Sequence, residues 1–166
     1  MLIILSGLPG AGKTTIARDL ARALGAVHVR VDSIEQAIHE SGIAVRPMND
    51  AGYRVAYAVG EDNLRLGLTV IADSVNPLAL TREAWMDVAR RAGVSFANVE
   101  VLCSDTAEHR RRIETRAQAS AWRSVAWQDV VMREYHQWIS PRIAIDTAHV
   151  SVQDAVAAIR SSLPGA

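Results

Sequence analysis

The sequence predicts an α/β fold in which helices cover both faces of a parallel sheet. Apolar runs of strand length alternate with longer segments of helical period, and a glycine-rich loop separates the first strand from the first helix. This alternation is typical of parallel strands that are buried on both faces. The chain has 166 residues, the length of one ordinary domain, so we expect a single domain spanning residues 1–166.

Strand and helix patterns account for most of the chain. The predicted strands are Leu2–Leu5, Val27–Val31, Thr69–Ala72, Asn98–Leu102 and Ile143–Ile145. The helix between the first two strands carries Ile16 and Leu20 on one face and stops at Gly25. The other predicted helices are Ser33–Glu40, Ala51–Leu66, Thr81–Ala92, Thr106–Gln118, Gln128–Trp138 and Val152–Leu163. Thr81 and Ser151 have the side chains that N-cap positions favour.

Charge and composition narrow the class of protein. The 18 Lys and Arg residues balance 18 Asp and Glu residues, so no global field draws the protein to nucleic acid or to an anionic membrane. The single cysteine, Cys103, cannot form an internal disulfide and follows an apolar strand, which predicts a buried thiol and a reducing compartment. No apolar run approaches the ~18 residues of a membrane span. We therefore expect a cytoplasmic protein without a membrane partner, and the charge balance disfavours a nucleic-acid partner, although a local basic groove stays open.

Residues 7–14 form a complete G-x-x-x-x-G-K-[ST] motif between a strand and an amphipathic helix. The motif consists of Gly7, Leu8, Pro9, Gly10, Ala11, Gly12, Lys13 and Thr14. Glycines let the backbone wrap with its N–H groups facing inward, and the helix N-terminus adds partial positive charge, so the loop suits a polyphosphate. Lys13 would reach the β and γ phosphates of ATP, while the Thr14 hydroxyl would join phosphate and water oxygens around Mg²⁺. Thr15 either contacts a phosphate or is only a first-turn helix residue.

Two aspartates that follow predicted strands bear on which reaction uses the triphosphate. The chain lacks the Asn-Lys-x-Asp sequence with which a GTPase recognises guanine, and the run Leu68–Ala72 is not followed by the Asp-Glu pair of mechanical ATPases. Carboxyl ends of parallel strands line the ligand crevice, so Asp32 and Asp73 should both face the phosphate loop. Asp32 can accept the proton of an attacking hydroxyl, or it can cap the next helix. Asp73 can orient an acceptor or metal-bound water, or it can cap the turn before Pro77.

Four segments together resemble the small P-loop kinases of the AAA-domain grouping. They are Gly7–Thr14, Val31–Ser33, Tyr53–Asn76 and Glu108–Arg116. Members of that grouping include gluconate kinase, shikimate kinase, adenylylsulfate kinase, chloramphenicol phosphotransferase and zeta toxins. The resemblance implies a P-loop NTPase fold with sheet order 2-3-1-4-5 and a small, mobile helical lid after an arginine-rich helix. It also implies that adenine is held near that helix and the loop after strand five.

The arginine-rich helix places Arg112 and Arg116 one turn apart on the same face. In the kinases that this chain resembles, arginines here stack on adenine or clamp the transferred phosphoryl group, which suits a planar and always-charged guanidinium. The same pattern also fits a solvated face balanced by neighbouring glutamates. The predicted lid spans residues 119–127, and Arg123 within it either swings over the γ-phosphate or is an exposed surface residue.

The resemblance places the acceptor pocket near Arg46, Tyr53 and Asn76, although these residues also fit surface ion pairs or core positions. The histidines show no metal-binding spacing. Several aromatic residues near the lid are expected to pack it against the domain rather than to stack on a base. They are Trp122, Trp127, Tyr135 and Trp138.

The residues together favour an enzyme that uses Mg²⁺ to transfer the γ-phosphoryl group of ATP to a hydroxyl of a small acceptor. In this hypothesis Asp32 accepts the acceptor's proton, Asp73 orients acceptor or metal water, and the arginines neutralise developing charge. No signature identifies the acceptor. Two alternatives stay open: a polynucleotide 5′-hydroxyl kinase, which the neutral charge balance disfavours, and a nucleotide-dependent binding switch without transfer activity.

Overall fold

The computed structural model of the chain describes residues 1–42, 50–119 and 125–164. Five parallel strands form one sheet in the order β2-β3-β1-β4-β5. The strands are β1 (Leu2–Ser6), β2 (Val27–Arg30), β3 (Val70–Asp73), β4 (Phe96–Leu102) and β5 (Ile143–Asp146). The prediction of an α/β fold with this strand order is therefore confirmed.

Helices connect the strands and cover the sheet. They are α1 (Lys13–Leu24), α2 (Val31–Glu40), α3 (Ala51–Arg65), α4 (Ala79–Ala92), α5 (Thr106–Ala119), α6 (Trp127–Val131) and α7 (Val152–Ser161). Among the described residues, no helix combines the length and the apolar character that crossing a membrane requires.

The two faces of the sheet are buried under different helices. Alternate residues of β1 point to opposite faces, so Ile3 and Leu5 pack with α1 and α7, while Leu2 and Ile4 pack with α3 and α4. All four side chains are fully buried. The unbroken apolar run of β1 therefore reflects burial on both sides, as expected for a central parallel strand.

Two helices begin two residues earlier than predicted. β2 ends at Arg30 and α2 begins with Val31, so Asp32 lies in the first turn of α2 and is not its N-cap. α4 also begins before Thr81, with Leu78 as its N-cap. The Thr81 hydroxyl instead donates to the Leu78 carbonyl over 2.8 Å, a local hydrogen bond that a first-turn threonine can make.

The predicted helix Gln128–Trp138 is wrong beyond its first turn. α6 ends at Val131, and the chain then continues to β5 without regular secondary structure. A buried arginine of α4 holds this segment: Arg82 NH2 donates to the His136 carbonyl over 2.8 Å, and its guanidinium lies 4.2 Å from the Trp138 ring. These long-range contacts engage backbone that a helix would need, so they override the local helical pattern.

The remaining aromatic and cysteine predictions have mixed outcomes. Trp138 packs against α4 as described, and Trp127 meets the His109 ring of α5 edge-on with 5.3 Å between ring centroids. Trp122 lies outside the described residues. Cys103 is half-buried rather than part of the core, because it follows the last residue of β4 where the chain leaves the sheet.

The Ser151 cap of α7 is confirmed, and it gives a simple test of the fold. Ser151 Oγ accepts a hydrogen bond from the backbone N–H of Asp154 over 3.1 Å. We expect Ser151→Ala to lower the free energy of unfolding by about 1 kcal/mol, since the N–H loses its partner. The matched control Ser161→Ala, near the other end of α7, should change it by less than about 0.5 kcal/mol in the same urea titration. Equal losses would show that Ser151 is not an energetically significant cap.

Candidate active site

The loop between β1 and α1 has a backbone that depends on glycine. Gly7, Gly10 and Gly12 have φ angles of 145°, 81° and 99°, a region that side chains rarely adopt. At Gly7 an added Cβ would lie 2.0 Å from the carbonyl oxygen of Val101 on β4. The loop therefore has the close-packed, glycine-dependent form that suits a phosphate cradle, and it leads directly into the N-terminus of α1.

Lys13 is the only lysine in the sequence, and its amine is enclosed by the loop. The residue is 8% exposed, and Nζ donates to the Leu8 carbonyl over 3.0 Å. Burial lowers the pKa of Lys13 to about 8, while the nearby charges of Asp73 and Asp32 oppose this shift. An anionic phosphate beside the amine would favour its charged form in the same way.

Two cavities, each of about 580 Å³, open beside the loop and share Lys13, Thr14, Arg30 and Arg116 in their walls. Their volume is within the usual range for small-molecule sites. The first also contains residues of the phosphate loop, α1, α5, the segment after β5 and the start of α7, namely Gly10, Gly12, Thr15, Ile16, Arg18, Arg112, Thr147, Val150, Ser151 and Val152. The second continues past both predicted aspartates, with Pro9, Asp32, Asp73, Ser74, Val75, Val125, Asp129 and Arg133.

Asp73 lies at the end of β3 and is 3% exposed. Its Oδ2 accepts a hydrogen bond from His28 Nε2 over 3.1 Å and lies 3.9 Å from Arg30 Nε. Burial alone would raise the pKa of Asp73, but His28, the Lys13 charge and the neighbouring Thr14 hydroxyl together hold it below its usual value. Asp73 is therefore an ionised carboxylate at neutral pH.

Asp32 is more accessible than Asp73 and belongs to the same charged cluster. Its side chain is 40% exposed, and Oδ2 accepts a hydrogen bond from Arg30 NH2 over 3.1 Å. Arg116 NH2 lies 3.6 Å from the same oxygen. Arg30 thus lies between the two carboxylates, a role that the sequence analysis missed. The signal was the two-residue period of β2, which puts His28 and Arg30 on one side of the strand.

Arg112 and Arg116 of α5 reach the two cavities from one side of the helix. Arg112 NH1 donates to Thr147 Oγ1 over 2.8 Å, and NH2 donates to the Thr147 carbonyl over 3.1 Å. Thr147 Oγ1 also lies 2.9 Å from the carbonyl oxygen of Ala11, to which it can donate. Thr147 therefore ties the phosphate loop, α5 and the end of β5 together. Sequence reasoning missed it, since only the tertiary fold brings these segments together.

Two of the predicted acceptor residues, Asn76 and Tyr53, make hydrogen bonds within the protein around the loop after β3. Asn76 is fully buried: its Nδ2 donates to the Leu5 carbonyl over 3.2 Å, and its Oδ1 accepts from Ser74 Oγ over 2.9 Å. Its φ of 45° is unusual for a residue other than glycine. The Tyr53 hydroxyl accepts from the Asn76 N–H over 3.2 Å, and burial raises the pKa of Tyr53. Both residues shape the loop after β3, and Asn76 offers no surface to an acceptor.

Two further predicted residues, Arg46 and Arg123, lie outside the described residues. A contact that the sequence did not indicate joins α5 to the loop: His109 is 6% exposed, and its Nε2–H donates to the Pro9 carbonyl over 2.7 Å. This contact anchors the loop to α5. The ring of Trp127 packs against the same His109 side chain.

The side chains and backbone of the site fit the two predicted ligands, Mg²⁺ and the phosphates of ATP. Within the described ranges, no group of three or more His, Cys, Asp or Glu side chains could hold a metal ion by itself. The Thr14 hydroxyl and the Asp73 carboxylate are hard oxygen donors, which suits Mg²⁺ when phosphate and water supply most of its shell. The glycine-dependent cradle and the enclosed Lys13 amine fit a polyphosphate.

Fold and loop together define a P-loop protein of the small-kinase type. A family model described as an AAA domain matches residues 2–139. The chain belongs to this family, which confirms the resemblance drawn from its motifs.

Individual relatives are kinases of several kinds. A cytidylate kinase of Ignicoccus hospitalis is 25% identical over 162 residues, which cover 93% of this chain and 87% of that protein. A shikimate kinase of Corynebacterium efficiens is 33% identical over 132 residues, or 69% of this chain and 78% of that protein. The solved structure of a Mycobacterium tuberculosis APS kinase with AMPPNP and APS superposes with a TM-score of 0.76 at 17% identity, over 96% of this chain and 95% of that one. At this identity the likeness shows a shared fold.

Replacement of Lys13 tests the assignment of the loop. With MgATP at about 100 times its dissociation constant, we expect the wild-type protein to gain roughly 2.7 kcal/mol of stability. Lys13→Met should lose most of this gain, because the β and γ phosphates lose their cation. Arg22→Ala removes another cation of α1 that is exposed and paired only locally with Asp19, and it should keep the full gain. A thermal shift of wild-type size in Lys13→Met would contradict the assignment.

The pH dependence of stability tests the burial of the same amine. The pKa of Lys13 falls from an ordinary 10.5 to about 8 in the folded protein, so between these values the unfolded chain binds more protons than the folded chain. Without nucleotide, the stability of wild type relative to Lys13→Met should therefore rise with pH across this interval. Urea unfolding of both proteins between roughly pH 7 and pH 10 measures the difference. A constant difference would mean that the amine is solvated.

Proposed function

We propose that this protein is an ATP- and Mg²⁺-dependent phosphotransferase that phosphorylates a hydroxyl group of a small-molecule acceptor. The observation that carries the proposal is the pair of cavities that share Lys13 and Thr14 in their walls. Phosphoryl transfer needs a donor and an acceptor whose reacting atoms are roughly in line. A switch that only binds nucleotide needs just one such cavity.

The first cavity suits the nucleotide. Lys13 and Thr14 are available to the phosphates and Mg²⁺, and Thr15 lies in the same wall. Arg112 is held by two hydrogen bonds to Thr147, so its planar guanidinium is fixed in position. A fixed guanidinium plane favours stacking on a base, which supports the adenine contact that the family resemblance implies.

The second cavity suits the acceptor, and the two aspartates in it have different roles in our proposal. A base must reach the acceptor hydroxyl and take up its proton. Asp32 meets the first need because it is 40% exposed at the cavity wall. Asp73 is buried and its pKa is held below the usual range, which suits orientation of a metal-bound water better than proton uptake. We therefore assign the base to Asp32.

Transfer in this site would rely on positioning and charge rather than on covalent chemistry. Lys13 and Arg116 lie where they can neutralise charge on the transferred group, and Asp32 receives the proton of the attacking hydroxyl. Thr14 and Asp73 would hold Mg²⁺ or its water shell, and the ion would supply positive charge that offsets the charge of the phosphates. The predicted lid with Arg123, and the acceptor contact from Arg46, remain part of the proposal on the family resemblance alone.

The acceptor itself is left unnamed. The relatives carry the names of different kinases, cytidylate and shikimate kinase, so family membership does not select an acceptor. The balanced charge of the chain supports a small molecule over a nucleic acid. The cytoplasmic location stays a prediction from the sequence.

A screen of hydroxyl compounds for acceptor-dependent ADP release, with products checked by mass, tests the proposal directly. We expect at least one compound to stimulate release and to gain the mass of one phosphoryl group. The protein is instead a switch if no compound is phosphorylated and nucleotide only changes the affinity of the protein for a binding partner.

Asp32→Asn then tests the base. Asparagine keeps the size of the side chain but cannot accept the proton, so turnover of the acceptor should fall by roughly 10²–10⁴. MgATP binding, measured by thermal shift, should stay near wild type. Glu40→Gln, an equally conservative change at the far end of α2, is the control and should keep full turnover. A parallel loss of MgATP binding and turnover in Asp32→Asn would instead identify Asp32 as a structural or metal-shell residue.

A further inference from the structure

Two side chains of the edge strand β2 converge on one oxygen of Asp73. β2 and β3 pair so that His28 lies opposite Ile71 and Arg30 lies opposite Asp73. His28 Nε2 is 3.1 Å from Asp73 Oδ2, and Arg30 Nε is 3.9 Å from the same atom. Since Asp73 is only 3% exposed, these two contacts and the Thr14 hydroxyl together orient the carboxylate.

Of the two side chains, His28 is the one committed to Asp73. Arg30 NH2 donates to Asp32 over 3.1 Å and NH1 to Ser33 Oγ over 3.2 Å, so its guanidinium is bound to the first turn of α2. Arg30 Nε has no hydrogen-bond partner, and its distance to Asp73 is too long for one. An ionised carboxylate only accepts hydrogen bonds, so the His28 Nε2 atom carries the proton and donates it.

We propose that His28 is a positioning residue that fixes the Asp73 carboxylate for Mg²⁺ or for a water molecule of its shell. With Oδ2 held by His28, the carboxylate stays beside the Thr14 hydroxyl, where it can face Mg²⁺ or a water molecule of its shell. Hydrogen-bond partners of this kind orient metal-binding carboxylates, and their loss typically weakens metal binding by about 10–100-fold. The inference rests on the proposed nucleotide and Mg²⁺ site.

The test is a Mg²⁺ titration of the thermal shift produced by a fixed concentration of ATP. His28→Phe keeps a planar ring but has no donor, and we expect it to raise the Mg²⁺ midpoint by about 10–100-fold. The shift produced by ATP with EDTA should not change. His39→Phe, on an exposed position of α2, is the matched control and should keep the wild-type midpoint.

Two amide replacements distinguish the effect of the hydrogen-bond donor from the effect of the ring. In a His28→Gln protein the side-chain amide nitrogen can reach the place of Nε2, whereas the shorter amide of His28→Asn corresponds to Nδ1. We expect His28→Gln to keep a midpoint close to wild type and His28→Asn to behave like His28→Phe. This pair also decides the matter if His28→Phe does not fold.

A double-mutant cycle with Asp73→Asn shows whether His28 acts through Asp73. If it does, adding His28→Phe to Asp73→Asn should leave the Mg²⁺ midpoint where Asp73→Asn alone puts it. An unchanged midpoint in both His28→Phe and His28→Asn, with only a lower melting temperature, would overturn the inference and leave His28 a structural residue. If wild type itself shows no Mg²⁺-dependent nucleotide shift, the proposed function fails as well.

Discussion

The close approach of the Gly7 backbone to the Val101 carbonyl is the contact on which the site depends. No residue with a Cβ fits there, because that atom would lie 2.0 Å from the oxygen. Because β1 is the central strand and pairs with both β3 and β4, the loop that leaves it at Gly7 lies between the ends of its neighbours. The site is therefore assembled from chain segments far apart in sequence, with Asp73 arriving on β3 and Thr147 just after β5.

The strands and helices were largely predictable because their signals are local, whereas the strand order was implied by the family resemblance. The two-sided burial of β1 appears as an unbroken apolar run, and the cap of α7 appears as a serine before a helical pattern. The segment after Val131 was not predictable in this way. Its path is determined by Arg82, some fifty residues earlier. The sequence pattern of the segment itself contains no information about this contact with another helix.

The site was predictable where the backbone carries the function and less so where side chains do. The loop of residues 7–14 could be assigned from spacing alone, since glycine positions encode its conformation. The period of β2 puts His28 and Arg30 on one side of the strand, but only the register of β2 against β3 shows that they reach Asp73. Thr147 could be found only from the packing of α5 on the loop. Asn76 shows the opposite error. A polar residue after a strand suggests a ligand contact, yet the Asn76 amide donates its hydrogen bond to the backbone of β1.

The presence of a single lysine has a practical consequence for chemistry on this protein. Arginine supplies the other 17 of the 18 Lys and Arg residues, and guanidinium groups do not react with ordinary acylating reagents at neutral pH because they stay protonated. The lowered pKa of Lys13 leaves a larger share of its amine in the nucleophilic form. Amine-directed labels and surface-coupling reagents thus have one side-chain target, and it lies inside the phosphate loop. Acylation of this amine would fill the phosphate cradle, and the mass of the acylated peptide that contains Lys13 would report whether the loop is filled.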